Sequence, residues 1–338
     1  MRYLNVCFLG LAVFTLASCS SSDDSTKLGN WITKADYQGD ARREAVGFVI
    51  GDTAYVGTGF GGADQEKLNT FYKYDPVKDN WTQVASLQNP NDLTVDLSRS
   101  AASAFAAAGK GYVSTGVGND FLLRNDTWAY DPTTNSWASK AAYPGVKRSY
   151  GVGFAVGDFG YIGTGYDGGS YLSDFFKYNP STDTWTAANS LKDKRRQAIT
   201  FVINDSAYIV TGLNSGGNTT RMFVYDASAD QWNEKAKIEN ATDQSFDDDY
   251  TTLARYGGVG FVINNKGYIA TGTASNTWEY DPINDRWTEK TAFDGTTRTS
   301  AVGLTVKGRG FVTTGAASSS NLDDTHEFDP TAENNTND

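Results

Sequence analysis

The sequence predicts an all-β fold: a six-bladed β-propeller of four-stranded antiparallel blades, closed by an N-terminal strand that completes the last blade. Three observations predict it. A Thr-Gly pair recurs six times, beginning at Thr58, Thr115, Thr164, Thr211, Thr271 and Thr314, and an aromatic residue precedes each Thr by three positions: Tyr55, Tyr112, Tyr161, Tyr208, Tyr268 and Phe311. Upstream of these aromatics, large apolar residues alternate with small ones. Downstream, five copies carry a second aromatic with a Trp seven positions later.

The first strand of each unit is read from the alternation. Positions nine, seven and five before the aromatic are large and apolar in most copies, as in Val46, Phe48, Ile50, or Ile199, Phe201, Ile203, or Val259, Phe261, Ile263. The residues between are mostly small, as Gly151 and Gly153 or Gly258 and Gly260 show. A period of two is that of a strand with two unlike faces. Turn-type links follow, such as Gly51-Asp52-Thr53-Ala54, Asn204-Asp205-Ser206-Ala207 and Lys307-Gly308-Arg309-Gly310, so the second strand returns as a tight hairpin ending on Thr-Gly.

The third and fourth strands are marked by Tyr74-Asp75-Pro76 with Trp81, Tyr130-Asp131-Pro132 with Trp137, Tyr178-Asn179-Pro180 with Trp185, Tyr225-Asp226 with Trp232, and Tyr280-Asp281-Pro282 with Trp287. The sixth copy reaches Phe328-Asp329-Pro330 and has no Trp after it. Trp31 stands eleven residues before Arg42, the interval that separates Trp287 from Arg298, so an N-terminal strand supplies the missing element. Closure of this kind hides the sheet edges that an open array exposes.

Four strands per unit, six units and a period of about 50 residues resemble kelch repeats, and the resemblance covers residues 29–331. The chain departs from the usual kelch pattern in carrying Thr-Gly where a diglycine ends the second strand, and it keeps the later Tyr and Trp at family spacing.

The ends of the chain set its compartment. Arg2 precedes an apolar run from Val6 to Leu16, too short to span a bilayer, followed by Leu16-Ala17-Ser18-Cys19. This resembles a lipoprotein signal, which predicts a signal peptide over 1–18 and a flexible tether over 19–28 beginning at a lipidated Cys19. The stretch from Ser20 to Asp24 is similar to the Ser/acidic segment that sends some lipoproteins to the cell surface. The expectation is an outer-membrane lipoprotein facing the periplasm or the exterior, with a propeller over 29–331 and a disordered tail over 332–338. Cys7 leaves with the signal, so the mature chain has no thiol for a disulfide. The formal charge of −11 opposes nucleic acid and anionic lipid as partners.

In a four-stranded blade the links between blades share one face with the links between second and third strands. That face carries the long segments, Phe60 to Asn69, Ser86 to Ser98 and Ile238 to Leu253, and variable loops on a rigid scaffold are where function concentrates. Thirteen residues before each aromatic marker lies an arginine: Arg42, Arg99, Arg148, Arg195, Arg255 and Arg298. Six guanidinium groups would ring the channel mouth and suit carboxylate, sulfate, phosphate or sugar hydroxyls. Repetition in every copy more often marks an architectural role, bonding carbonyls or Asp side chains of the neighbouring blade, and a subset could serve both. Arg43 and Arg196 double the motif in two copies and, with Phe60, Phe121, Tyr150, Tyr166, Tyr171 and Tyr256, break the symmetry, which makes them the better ligand candidates.

Some proteins of the kelch type are copper oxidases or sugar-isomerising enzymes. A copper site of that kind uses two imidazoles, whereas this chain has one histidine, His326, read as a strand or surface residue. An enzyme acting on an acidic sugar, similar to sialate epimerases, would need an acid/base pair, for which Glu44 or Asp96 could serve with an arginine. Nothing in their spacing selects them. The acidic cluster from Asp243 to Asp249 lacks the Asp-x-Asp-x-Asp-Gly calcium pattern and reads as a solvated loop. The sequence therefore favours a monomeric binding module for a glycan or a protein partner, without cofactor or metal, over the enzyme.

Overall fold

The computed structural model describes residues 27–236, 238 and 250–337. The signal segment, Cys19, most of the tether, the cluster Asp243–Asp249 and most of the loop before Leu253 lie outside the described residues. The described chain is all β apart from one 3-10 turn, Tyr250–Thr252. It holds six four-stranded antiparallel sheets, plus small two- and three-stranded ladders.

In the first sheet, Val46–Ile50, Thr53–Gly57, Phe71–Asp75 and Asn80–Val84 pair in sequence order. The next four sheets repeat this order and begin at Ser103–Ala107, Val152–Val156, Ile199–Ile203 and Val259–Ile263. The sixth sheet contains Val302–Val306, Arg309–Thr313 and Thr325–Asp329, and its fourth strand is Asn30–Lys34, with Trp31 opposite Phe328. Each first strand neighbours the first strand of the next sheet, and Val302–Val306 neighbours Val46–Ile50.

Aromatic rings from the second and third strands fill the joints between sheets. Tyr55 meets Tyr130, Tyr112 meets Tyr178, Tyr161 meets Tyr225, Tyr208 meets Tyr280, Tyr268 meets Phe328 and Phe311 meets Tyr74, with centroids 5.2–5.7 Å apart. Close approach explains two of the small residues: a side chain at Gly111 would collide with the ring of Phe48, and one at Gly160 with the ring of Phe105.

The Tyr-to-Trp spacing forms a polar clamp across successive joints. Tyr74 Oη donates to Asp79 Oδ1 at 2.7 Å, and the same oxygen accepts the N–H of Ala35 at 3.0 Å, while Trp81 Nε1 donates to the Ala35 carbonyl at 3.1 Å. Asn135 and Trp137 hold Ala85 in the same way, Asp183 and Trp185 hold Ala141, and Asp230 and Trp232 hold Asn189. At the joint between the fifth and sixth sheets Phe328 replaces Tyr, and Trp31 Nε1 is buried with no partner among the described residues. There the N-terminal residues substitute: Thr291 donates through its N–H to the Leu28 carbonyl (3.2 Å) and through Oγ1 to the Lys27 carbonyl (2.8 Å), and Lys27 pairs with Glu289.

Gly29 N–H donates to the Ala332 carbonyl (2.9 Å) and Asn335 N–H to Asn30 Oδ1 (2.7 Å), which ties residues 332 and 335 to the start of the strand Asn30–Lys34.

Candidate functional site

All six ring arginines are buried, with at most 1% of their surface exposed. In each, Nη1 donates to the carbonyl of the Thr in its own Thr-Gly pair, sixteen residues on, at 2.8–3.2 Å. The backbone then links the sheets. The Gly N–H of each pair donates to the carbonyl of the next sheet's arginine, from Gly59 to Arg99 around to Gly315 to Arg42, every bond at 2.8 Å. Glycine is required here, because Gly59 has φ +99° and a Cβ would lie 2.8 Å from the Arg43 carbonyl oxygen.

Most of the remaining guanidinium donors are also engaged; Arg195 Nε is buried with no acceptor among the described residues. Arg99, Arg148 and Arg298 each grip an aspartate with both terminal nitrogens, Asp126, Asp174 and Asp324 respectively. Arg195 pairs with Asp193, and Arg42 donates to Thr70. Arg255 meets no carboxylate among the described residues and donates to the carbonyls of Leu253, Thr252, Thr271, Ala274 and Asn276. Burial pushes the Arg195 and Arg255 guanidinium groups down to about 10, against the pull of Asp193 in one case and of the more distant Glu289 in the other. Through these bonds Arg42, Arg99, Arg148, Arg195, Arg255 and Arg298 hold sheet to loop. Their hydrogen-bonding capacity faces inward.

Above them a second ring surrounds the mouth. Glu44, Ala101, Tyr150, Gln197, Gly257 and Ser300 each stand two residues after a ring arginine, all with φ between +51° and +64°. Each N–H donates to the carbonyl of its counterpart in the preceding sheet, from Ala101 to Glu44 around to Glu44 to Ser300, at 2.7–3.1 Å. These residues line a mouth cavity of about 150 Å³. The backbone ring is six-fold, but its side chains are not. Tyr150 Oη donates to Glu44 Oε1 at 2.7 Å, and burial together with that carboxylate pushes the phenol pKa well up.

The doubled arginines behave unlike the ring. Arg43 lies on the face of Phe60, 4.4 Å from its centroid, and donates to Asn321 Oδ1 at 2.8 Å. Arg196 is surrounded by Tyr150, Tyr166 and Tyr171, at 4.9–5.5 Å from their centroids, and its Nε is buried with no acceptor among the described residues. The structure thus gathers six of the symmetry-breaking residues into two cation–aromatic groups. Tyr256 is half-buried and joins neither.

Phe121 forms a third feature. It is 79% exposed at a left-handed backbone position, φ +60°, with the Lys67 ammonium 3.9 Å from its ring centroid. Asn119 binds both the N–H and the carbonyl of Lys67, and donates to Asp96 Oδ2, which ties this loop to two neighbours. Leu93, Val95 and Leu122, on these linked loops, are also exposed. The sequence singled out the Ser86 to Ser98 loop by its length but not these apolar side chains or Lys67, whose common location depends on contacts between three separate links.

The central channel, a cavity of about 570 Å³, is lined by the first strands. Its lining residues are Gly, Ala, Val, Ile, Leu, Phe, Ser and Thr, with no ionisable side chain among them. Of the acid/base candidates, Glu44 is engaged by Tyr150 at the mouth and Asp96 by Ser98 and Asn119 in a loop. His326 occupies the strand slot filled by Tyr72, Trp128, Phe176, Phe223 and Trp278 in the other sheets; it is 7% exposed, edge-on to Phe293 and bonded to Asp324. Among the described residues no cluster of three His, Cys, Asp or Glu side chains could hold a metal ion.

The KLHDC2/KLHL20/DRC7 Kelch-repeats domain model matches residues 29–212, more than half of the chain. The chain belongs to the kelch-repeat family. Curated kelch relatives include Kelch-like protein 35 of Mus musculus, 28% identical over 49% of this chain, and Kelch-like protein 36 of Rattus norvegicus, 29% identical over 48%. The alignments span 26% of each relative's length. Among solved structures, one titled "Structure of YjhT" superposes with a TM-score of 0.69, covering 86% of this chain and 95% of that one at 17% identity. That likeness bears on the fold alone and agrees with a kelch β-propeller.

Proposed function

We propose that this kelch domain is a six-bladed propeller, closed by the strand around Trp31, that docks a protein partner through its loop face. Kelch-repeat domains generally mediate protein binding, and one observation here carries the reading: Leu93, Val95, Phe121 and Leu122 stand exposed on loops fastened to one another by Asn119. An aromatic ring held in a left-handed backbone position and left in water costs stability, and contact with an apolar partner surface recovers it. The enzyme acting on an acidic sugar receives no such support, since the channel lining holds no acid or base.

The partner is to be identified by crosslinking in the native cells and its affinity measured with purified proteins. Phe121→Asp should weaken it by about tenfold or more without lowering the melting temperature. Equal affinity for wild type and Phe121→Asp would defeat the reading.

We also propose that Cys19 carries lipid and holds the domain at the outer membrane, facing the periplasm or the exterior. The order of the apolar run, the Leu-Ala-Ser-Cys segment and the polar stretch after it supports this, and none of the described helices is long and apolar enough to cross a membrane. Cys19→Ser should shift the chain from the membrane to the soluble fraction; unchanged sedimentation would refute the anchor.

A further inference from the structure

Away from the apolar loops, a polar cleft of about 450 Å³ opens on the loop face where the sixth sheet meets the first. Three segments converge on it. Asp40 and Ala41 lead into the short strand Arg42–Arg43, Gly62 to Gln65 form the tip of the hairpin made by Phe60–Gly61 and Glu66–Lys67, and Ser319 to Asn321 belong to the hairpin of Ala316–Ala317 and Ser320–Asn321.

Two of its side chains are pre-oriented. Arg43 donates to Asn321 Oδ1, which leaves the Asn321 amide nitrogen to donate, and Gln65 Nε2 donates to the Gly62 carbonyl at 2.9 Å, which leaves its oxygen to accept. The Asp40 carboxylate and the Ser319 and Ser320 hydroxyls make no hydrogen bond or ion pair among the described residues. The cleft thus presents one strong acceptor, two groups that both donate and accept, one amide donor and one amide acceptor.

We infer that this cleft binds an uncharged sugar. Vicinal hydroxyls donate and accept together, so they match a mixed set built around one carboxylate. An anionic ligand fits less well: Asp40, the free carboxylate of the cleft, repels a second carboxylate, and Arg43 gives one terminal nitrogen to Asn321 while lying on the face of Phe60. The inference goes beyond protein docking and uses different residues.

Calorimetric titration of the mature chain with glucose, galactose, mannose, lactose and cellobiose, with glucuronate as the acidic comparison, tests it. The expected result is saturable binding of at least one neutral sugar, weakened about tenfold or more by Asp40→Asn and by Asn321→Ala, and unchanged by Phe121→Asp. Asp40 is exposed, so its variant should keep the wild-type melting temperature, and Ser320→Ala gives a second reading at a site that does not support the fold. No binding by any neutral sugar, preference for glucuronate, or binding indifferent to Asp40→Asn and Asn321→Ala would overturn the inference. Loss of protein docking with sugar binding intact would leave it standing.

Discussion

A guanidinium withdrawn from water needs acceptors on every side, and the ring arginines find them in different ways. Arg99, Arg148 and Arg298 use a bidentate aspartate, whereas Arg255, among the described residues, bonds only backbone carbonyls. The aspartates record this pairing. Burial pushes the Asp126 carboxyl up, but Arg99 outweighs burial and holds it below the usual carboxylate range; at Asp324, His326 and Arg298 together do the same. The six arginine positions were legible in the sequence because they repeat at a fixed interval. The repetition also pointed to an architectural role, but the partners were not legible, because acceptors such as Asp126 for Arg99 lie 27 residues away. His326 was legible as a strand residue only in part: its slot is aromatic in the other sheets, and the imidazole keeps that packing while adding a bond to Asp324.

Among the elements, the closing strand is the one whose loss should matter most. The Trp31 indole packs on Phe293 and Phe328 at 4.8 and 4.7 Å and is 1% exposed, much as Trp137 packs on Phe71 and Tyr130 at 4.9 and 5.2 Å. Truncating such a ring costs about 3–5 kcal/mol. Trp31→Ala should therefore lower the denaturation midpoint about as much as Trp137→Ala; a midpoint unchanged by Trp31→Ala would rule out closure by that strand. The four long strands of each sheet could be read from alternation and from the Tyr and Trp markers. The two-residue ladders on the loop face could not, since pairs such as Arg43 with Phe60 are too short to show a period. The clamp between Asp79 and Ala35 was likewise invisible, because it joins residues 44 positions apart.

Over the whole molecule, two rings of backbone hydrogen bonds repeat around an apolar channel, while the side chains on the loop face follow no symmetry. Periodicity made the scaffold readable from sequence; the parts that break it, namely Arg43, Arg196, Phe121 and the polar cleft, depend on which loops meet in space. On this proposal the arginine ring is scaffold and the asymmetric face carries the binding. The direct test measures thermal unfolding and partner affinity together in Arg148→Met. Removing one member of a buried ion pair costs about 3–5 kcal/mol, so the melting temperature should fall while the folded fraction binds the partner as tightly as wild type. A variant that melts like wild type yet loses the partner would place Arg148 in the binding site and overturn the division between scaffold and binding face.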